Sequence, residues 1–204
     1  KLNTRKLWFI FSLLCFLLIG CSAENEKKTV FMDSIKKPNI LLIVVDDLGY
    51  TDIGVFGSEI ATPNLDALAN AGMTLTNYYV APTCSPTRAM LLSGIDNHLA
   101  GMGTMYNEQS ENQKNKPGYE GYLNFQVAAL PNILKDNGYH TYMTGKWHLG
   151  SGAQDLPNSH GFDRSFALDA SGADNWEQKP YMGYYDFAPW YEDGQPADLP
   201  ENFY

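Results

Sequence analysis

Asn39-Ile40-Leu41-Leu42-Ile43-Val44-Val45-Asp46-Asp47-Leu48-Gly49 sets an unbroken apolar run, rich in β-branched residues, against two adjacent carboxylates. Such a run suits a strand buried on both faces, as in the interior of a parallel sheet. Downstream, helical and strand-like stretches alternate. Thr62-Pro63 offers a helix start for residues 64–71, with Gly72 as the stop, and 73–80 reads as a second strand. Ser85-Pro86 opens a helix through Ser93 that Gly94 closes; Leu130-Pro131 opens another that ends at Gly138, and 139–144 reads as a further strand. The alternation predicts an α/β fold, a mainly parallel central sheet flanked by helices, with ligands gathering beyond the carboxyl ends of the strands. Residues 106–125 and 150–204, rich in Gly, Pro, Asn and Tyr, read as long surface loops or insertions, and no internal repeat is visible.

Upstream of the run, Lys1, Arg5 and Lys6 precede the apolar stretch Leu7–Gly20, which is short for a bilayer span and reads as an export signal over residues 1–20. It ends Leu18-Ile19-Gly20-Cys21, which resembles a bacterial lipoprotein cleavage site, so Cys21 is expected to carry a lipid and residues 21–36 to form a polar tether. An ordinary signal peptide that happens to contain Cys21 is the alternative. The remaining chain, 37–204, is expected to be exported and anchored in the periplasm or at the cell surface, touching membrane only through that lipid.

The 204 residues are 44% hydrophobic and 18% charged, enough to bury a core. There are 14 Lys and Arg against 23 Asp and Glu, and removal of the three cations at the front leaves 11 against 23, a net charge of −12. That surface repels a phosphate backbone, and nucleic acid is excluded as a partner. Cys15 leaves with the signal and Cys21 carries lipid, so Cys84 is left as a lone thiol in an oxidising compartment, which calls for burial or modification.

Three clusters sit where this fold places its chemistry. Asp46 and Asp47 repel each other at a strand end unless a cation neutralises them, and a hard divalent ion is the natural partner; two solvated turn acids are the bland alternative. Cys84-Ser85-Pro86-Thr87-Arg88 puts a thiol at a helix N-terminus, where main-chain N–H groups favour an anion, with a guanidinium one turn on. A buried thiol beside a surface Arg is the simpler reading. Gly145-Lys146-Trp147-His148 follows a strand, and in an extended segment Lys146 and His148 face one side; singly, each is more often just solvated.

In order and spacing these segments, with Pro38-Asn39-Ile40 and Ala61-Thr62-Pro63-Asn64-Leu65-Asp66, resemble the sulfatase family, close to its bacterial arylsulfatase branch, from about Pro38 to Tyr204. The resemblance implies an alkaline-phosphatase-like sandwich. It implies that a formylglycine-generating maturation enzyme oxidises Cys84 to formylglycine, whose hydrate attacks a sulfate ester, either an aryl sulfate or a sulfated glycan. It further implies Ca2+ held by Asp46 and Asp47 together with the modified Cys84, Arg88 holding that residue, and Lys146 and His148 binding the sulfate and the modified residue. The leaving-group acid of the family is a His, for which His148 is one candidate. The family's later Asp-Asn ligand pair, His and Lys are not recognisable, so the chain reads as an N-terminal portion with at most residual activity by itself.

Two other readings stay open: a phosphomonoester or phosphodiester hydrolase of the same superfamily, and a lipid-anchored protein that binds a sulfated ligand with Cys84 unmodified. His98, in Asp96-Asn97-His98, also resembles the arylsulfatase branch, as a structural residue or a substrate contact. His160 reads as a turn residue and His140 as part of a strand. The aromatic tract of Trp176, Tyr181, Tyr184, Tyr185, Phe187, Trp190 and Tyr191 reads as packing, or as an entry for rings.

Overall fold

In a computed structural model, the structure describes residues 36–174, 178–183 and 185–199. The expected signal, the lipid-bearing Cys21 and most of the tether lie outside these, as do Trp176 and Tyr184. The chain separates into two units at Val45/Asp46. In the first, residues 36–45 form no regular element. The strand expected at 39–45 is therefore not formed: composition supplies β propensity, but a strand exists only through a hydrogen-bonded neighbour.

The second unit carries α1 (Pro63–Ala71), α2 (Cys84–Ser93), α3 (Leu130–Asp136), β1 (Tyr142–Lys146), β2 (Arg164–Leu168), β3 (Trp190–Glu192) and β4 (Gln195–Pro196). The helix punctuation read from the sequence holds. Pro63 and Pro131 sit in first turns, where their missing N–H costs nothing, and Gly94 stops α2 in the left-handed region at φ 66°. Thr62 departs from its expected role. Its Oγ1 accepts the Gly54 N–H at 2.8 Å and donates to Asp66 Oδ1 at 3.0 Å, stitching the 54–56 turn to α1 rather than capping the helix.

The sheet is mixed, in the order β1-β2-β3-β4. β1 and β2 run parallel, with Tyr142 opposite Arg164 and Lys146 opposite Leu168, whereas β2–β3 and β3–β4 are antiparallel. The α/β architecture stands, with its parallel character confined here to one pair. The strand expected at 139–144 lies at 142–146 because Thr141 is taken by the neighbouring loop: its Oγ1 donates to the Gly161 carbonyl at 2.6 Å. Residues 73–80 form no strand; a turn interrupts them, and Met73 and Tyr79 are 87% and 83% exposed. The stretch 150–204, expected as loops, instead supplies β2, β3 and β4 of five, three and two residues, lengths too short to show periodicity.

A core of Met102, Leu123, Trp147, Leu149 and Ala167 packs beneath α2 and β1. Trp147 is 1% exposed and its indole N–H donates to the Asp155 carbonyl at 2.9 Å, satisfying the one polar atom of a buried ring. His160, expected as a turn residue, does lie in a short turn (Pro157–His160) but also stacks on Phe125 at 4.7 Å between ring centres. Leu149→Ala, at a fully buried site, is expected to lower the unfolding free energy by about 2–5 kcal/mol. Met73→Ala is expected to change it by less than about 0.5 kcal/mol, both read by urea denaturation.

Candidate active site

Cys84 opens α2 after Thr83, whose extended backbone (φ −134°, ψ 165°) turns the chain into the helix. Its thiol is free and half-buried, 3.6 Å from Met105 Sδ and 3.8 Å from Ser171 Oγ. Ser85 and Pro86 are buried beneath it, and Arg88 lies one turn further along.

Arg88 and Lys146 converge on one carboxylate. Lys146, the last residue of β1, donates to Asp46 Oδ2 at 2.6 Å and to Ser171 Oγ at 3.0 Å. Arg88 donates through NH1 to the Lys146 carbonyl at 2.7 Å and meets Asp46 Oδ1 through NH2 at 3.4 Å. The two cationic side chains are only 11% and 12% exposed. Burial pushes the Asp46 carboxyl up, but the hydrogen bond and charge of Lys146, with the charge of Arg88, outweigh it and hold the group below its ordinary value. Ser171 Oγ accepts from Lys146 and lies 3.8 Å from Cys84 Sγ, a contact in which either the hydroxyl or the thiol can donate. A continuous chain runs Asp46, Lys146, Ser171, Cys84.

His148 does not extend the face that Lys146 presents, as an extended segment would require. β1 ends at Lys146, and His148 sits at φ 57°, so the backbone turns and the ring leaves toward Tyr185, whose hydroxyl is 2.6 Å from Nε2. Burial pushes His148 down to about 4, and the positive charges of Lys146 and Arg88 push the same way, against a smaller upward pull from Asp46. The imidazole is neutral at pH 7.

Asp47 is exposed, at φ 56°, and makes no side-chain hydrogen bond or ion pair among the described residues. Asp46 and Asp47 are hard oxygen donors of the kind calcium takes, so the donor type fits. Their number is short of the roughly six to eight oxygens such an ion needs. Among the described residues no three His, Cys, Asp or Glu side chains gather as a metal site, so Asp46, Asp47 and Cys84 do not close one by themselves.

The structure therefore brings together Asp46, Cys84, Arg88 and Lys146, sets His148 alongside, and leaves Asp47 facing solvent. Ser171 was not legible, and Tyr185 was read only as one of an aromatic tract; each reaches the site from an irregular stretch. His98 ties loops together, its Nε2 3.2 Å from the Tyr119 hydroxyl and its Nδ1 3.4 Å from Asp96 Oδ1. His140 lies ahead of β1, with Nδ1 3.4 Å from Asp163 Oδ2.

Comparison with known proteins identifies a family. The profile of the family described as Sulfatase matches residues 38–197. The chain is 54% identical over 148 residues to an uncharacterized sulfatase of Schizosaccharomyces pombe, covering 71% of this chain and 27% of that protein. It is 40% identical over 171 residues to an arylsulfatase of Klebsiella aerogenes, covering 83% and 36%. Among solved structures it is similar to Ps i-CgsB, with a TM-score of 0.66 and 31% identity over 82% of this chain and 39% of that one. Ps i-CgsB has also been solved in complex with k-i-k-neocarrahexaose. The chain thus spans about a third of the length of the relatives it matches.

The buried neutral imidazole has a consequence for stability. As pH falls from 6.5 toward about 4, the unfolded chain takes up a proton that folded His148 refuses, so stability is lost through that window. The shift corresponds to roughly 3 kcal/mol from this residue. Urea denaturation at pH 7 and pH 4.5 is expected to show a smaller acid loss in His148→Gln than in the parent; parallel losses would refute the assignment.

Proposed function

Because the chain belongs to the sulfatase family, we propose that the whole protein hydrolyses a sulfate ester, with Cys84 converted to formylglycine as the source of its nucleophile. The observation that carries the reading is the single contact line from Asp46 through Lys146 and Ser171 to Cys84 at the start of α2. A lone thiol aligned with two buried cations and a helix N-terminus suits a reaction in which negative charge develops on oxygens around sulfur.

A hydrated aldehyde at position 84 supplies two hydroxyls on one carbon, one to attack sulfur and one to expel sulfate and restore the aldehyde. The residues of this chain do the rest. Lys146 offers its ammonium to the ester oxygens. Arg88, bonded to the Lys146 carbonyl, fixes the end of β1 against α2, and its positive charge adds to the field at the helix terminus. Ser171 links Lys146 to position 84, accepting from the ammonium and touching Cys84. His148, neutral and tied to Tyr185, acts as a hydrogen-bonding contact rather than as a cationic acid. Calcium held by Asp46 and Asp47, with ligands beyond those two, would add positive charge at the sulfate.

An arylsulfatase specificity is the finer part of this proposal, as is export with a lipid on Cys21. The support for the first is the likeness to the Klebsiella aerogenes enzyme, and for the second the sequence alone.

Two assays test the chemistry. In a host that makes formylglycine, the whole protein is expected to hydrolyse 4-nitrophenyl sulfate much faster than 4-nitrophenyl phosphate, and Cys84→Ala to abolish turnover; the reverse preference would place it with the phosphoester hydrolases. Ser171→Ala is expected to lower kcat about ten-fold, the worth of one charge-assisted hydrogen bond, with KM nearly unchanged and Ser171→Thr largely restoring the rate. An unchanged kcat would remove Ser171 from the site.

A further inference from the structure

His148 stands at φ 57°, a left-handed conformation that a residue other than glycine keeps only when its surroundings impose it. They impose it on main chain and side chain alike. The Trp147 N–H donates to the Leu168 carbonyl at 2.8 Å, and the Asp169 carboxyl accepts from the main-chain N–H groups of His148 and Leu149. Asp169 is itself held, its own N–H donating to the Pro189 carbonyl at 3.0 Å. The ring then meets the Tyr185 hydroxyl, 2.6 Å from Nε2, at the short end for a hydrogen bond between nitrogen and oxygen.

The other ring nitrogen decides how that contact is made. His148 is 8% exposed, and its Nδ1 is buried with no hydrogen-bond partner among the described residues. A neutral imidazole carries one proton, so two arrangements exist. With the proton on Nδ1, Nε2 accepts from the Tyr185 hydroxyl, and an N–H is sealed in the interior without an acceptor. With the proton on Nε2, that N–H donates to the Tyr185 oxygen, and Nδ1 keeps only a lone pair. Orphaned buried N–H groups are rarer in folded proteins than under-used acceptors, which selects the second arrangement.

We infer that Tyr185 is a positioning residue for His148: its hydroxyl oxygen accepts the Nε2–H, and so fixes both the rotation of the ring and its tautomer. Asp169 sets the direction in which the ring leaves the backbone, and Tyr185 stops it from turning. Nδ1 is then the nitrogen left to accept, and the ring has no N–H to give there. The stretch that follows β2 thus holds both polar side chains of the 146–148 segment, Lys146 through Ser171 and His148 through Asp169 and Tyr185. The consequence for rate rests on the sulfatase reading above; the tautomer does not.

Magnetic resonance of the whole protein carrying 13C,15N-histidine reads the tautomer without turnover, the His148 signal being identified by its loss in His148→Gln. A single form protonated on Nε2 is expected in the parent at pH 7. Tyr185→Phe removes one oxygen and keeps the ring, and is expected to give a mixture of tautomers or the form protonated on Nδ1. A parent ring protonated on Nδ1 would overturn the proposal whatever the variant does, as would a folded Tyr185→Phe protein that keeps the parent's single form. A kinetic arm uses 4-nitrophenyl sulfate: Tyr185→Phe is expected to lower kcat about ten-fold, the worth of one hydrogen bond, with KM changed by less than about two-fold. An unchanged kcat would overturn the positioning role. Absence of turnover in the parent would count against the hydrolase reading and leave the resonance measurement to decide the role of Tyr185.

Discussion

Asp46 holds two cations that arrive from different elements, Lys146 from the end of β1 and Arg88 from the second turn of α2. Both cations are nearly buried, and two like charges so placed would drive the elements apart without a shared carboxylate between them. The ion triad therefore fixes where α2 starts relative to the sheet, and with it where Cys84 sits. Arg88 adds a second constraint by donating to the main-chain carbonyl of Lys146, so the strand end is held by a hydrogen bond as well as by charge.

From that anchor the site builds outward in short steps. Lys146 fixes Ser171, and Ser171 faces Cys84. The chain then bends at His148, whose ring turns to the Tyr185 hydroxyl. Toward Asp46 the groups are charged and mutually paired. His148 is kept neutral by burial and by the positive charges of Lys146 and Arg88, which lets it hydrogen-bond without adding charge.

What the sequence disclosed and what it concealed divide along the range of the interactions. Cys84-Ser85-Pro86-Thr87-Arg88 was legible because its signals are local: a proline suited to a first helical turn, a guanidinium one turn from the thiol, and Gly94 as the stop. Asp46 and Lys146 were legible as functional candidates because charges at the edges of apolar runs need a reason. Their pairing with each other was not, since 100 residues separate them. Ser171 and Tyr185 come from stretches without periodicity, and only the tertiary fold brings them in. The apolar runs at 39–45 and 73–80 announced burial but not partners, and strand formation depends on partners. His148 was misdirected by a backbone angle that no residue pattern near it signals, a positive φ at a residue that is not glycine.

The proposed chemistry turns on the fate of the Cys84 thiol. Peptide mass spectrometry of the whole protein from its native host, following the segment from Val80 to Arg88 released by chymotrypsin and trypsin, tests it most directly. Conversion of Cys84 to the aldehyde, seen as the mass loss of thiol-to-formylglycine oxidation, is the result predicted. An unmodified Cys84 thiol in a preparation that hydrolyses sulfate esters would contradict it.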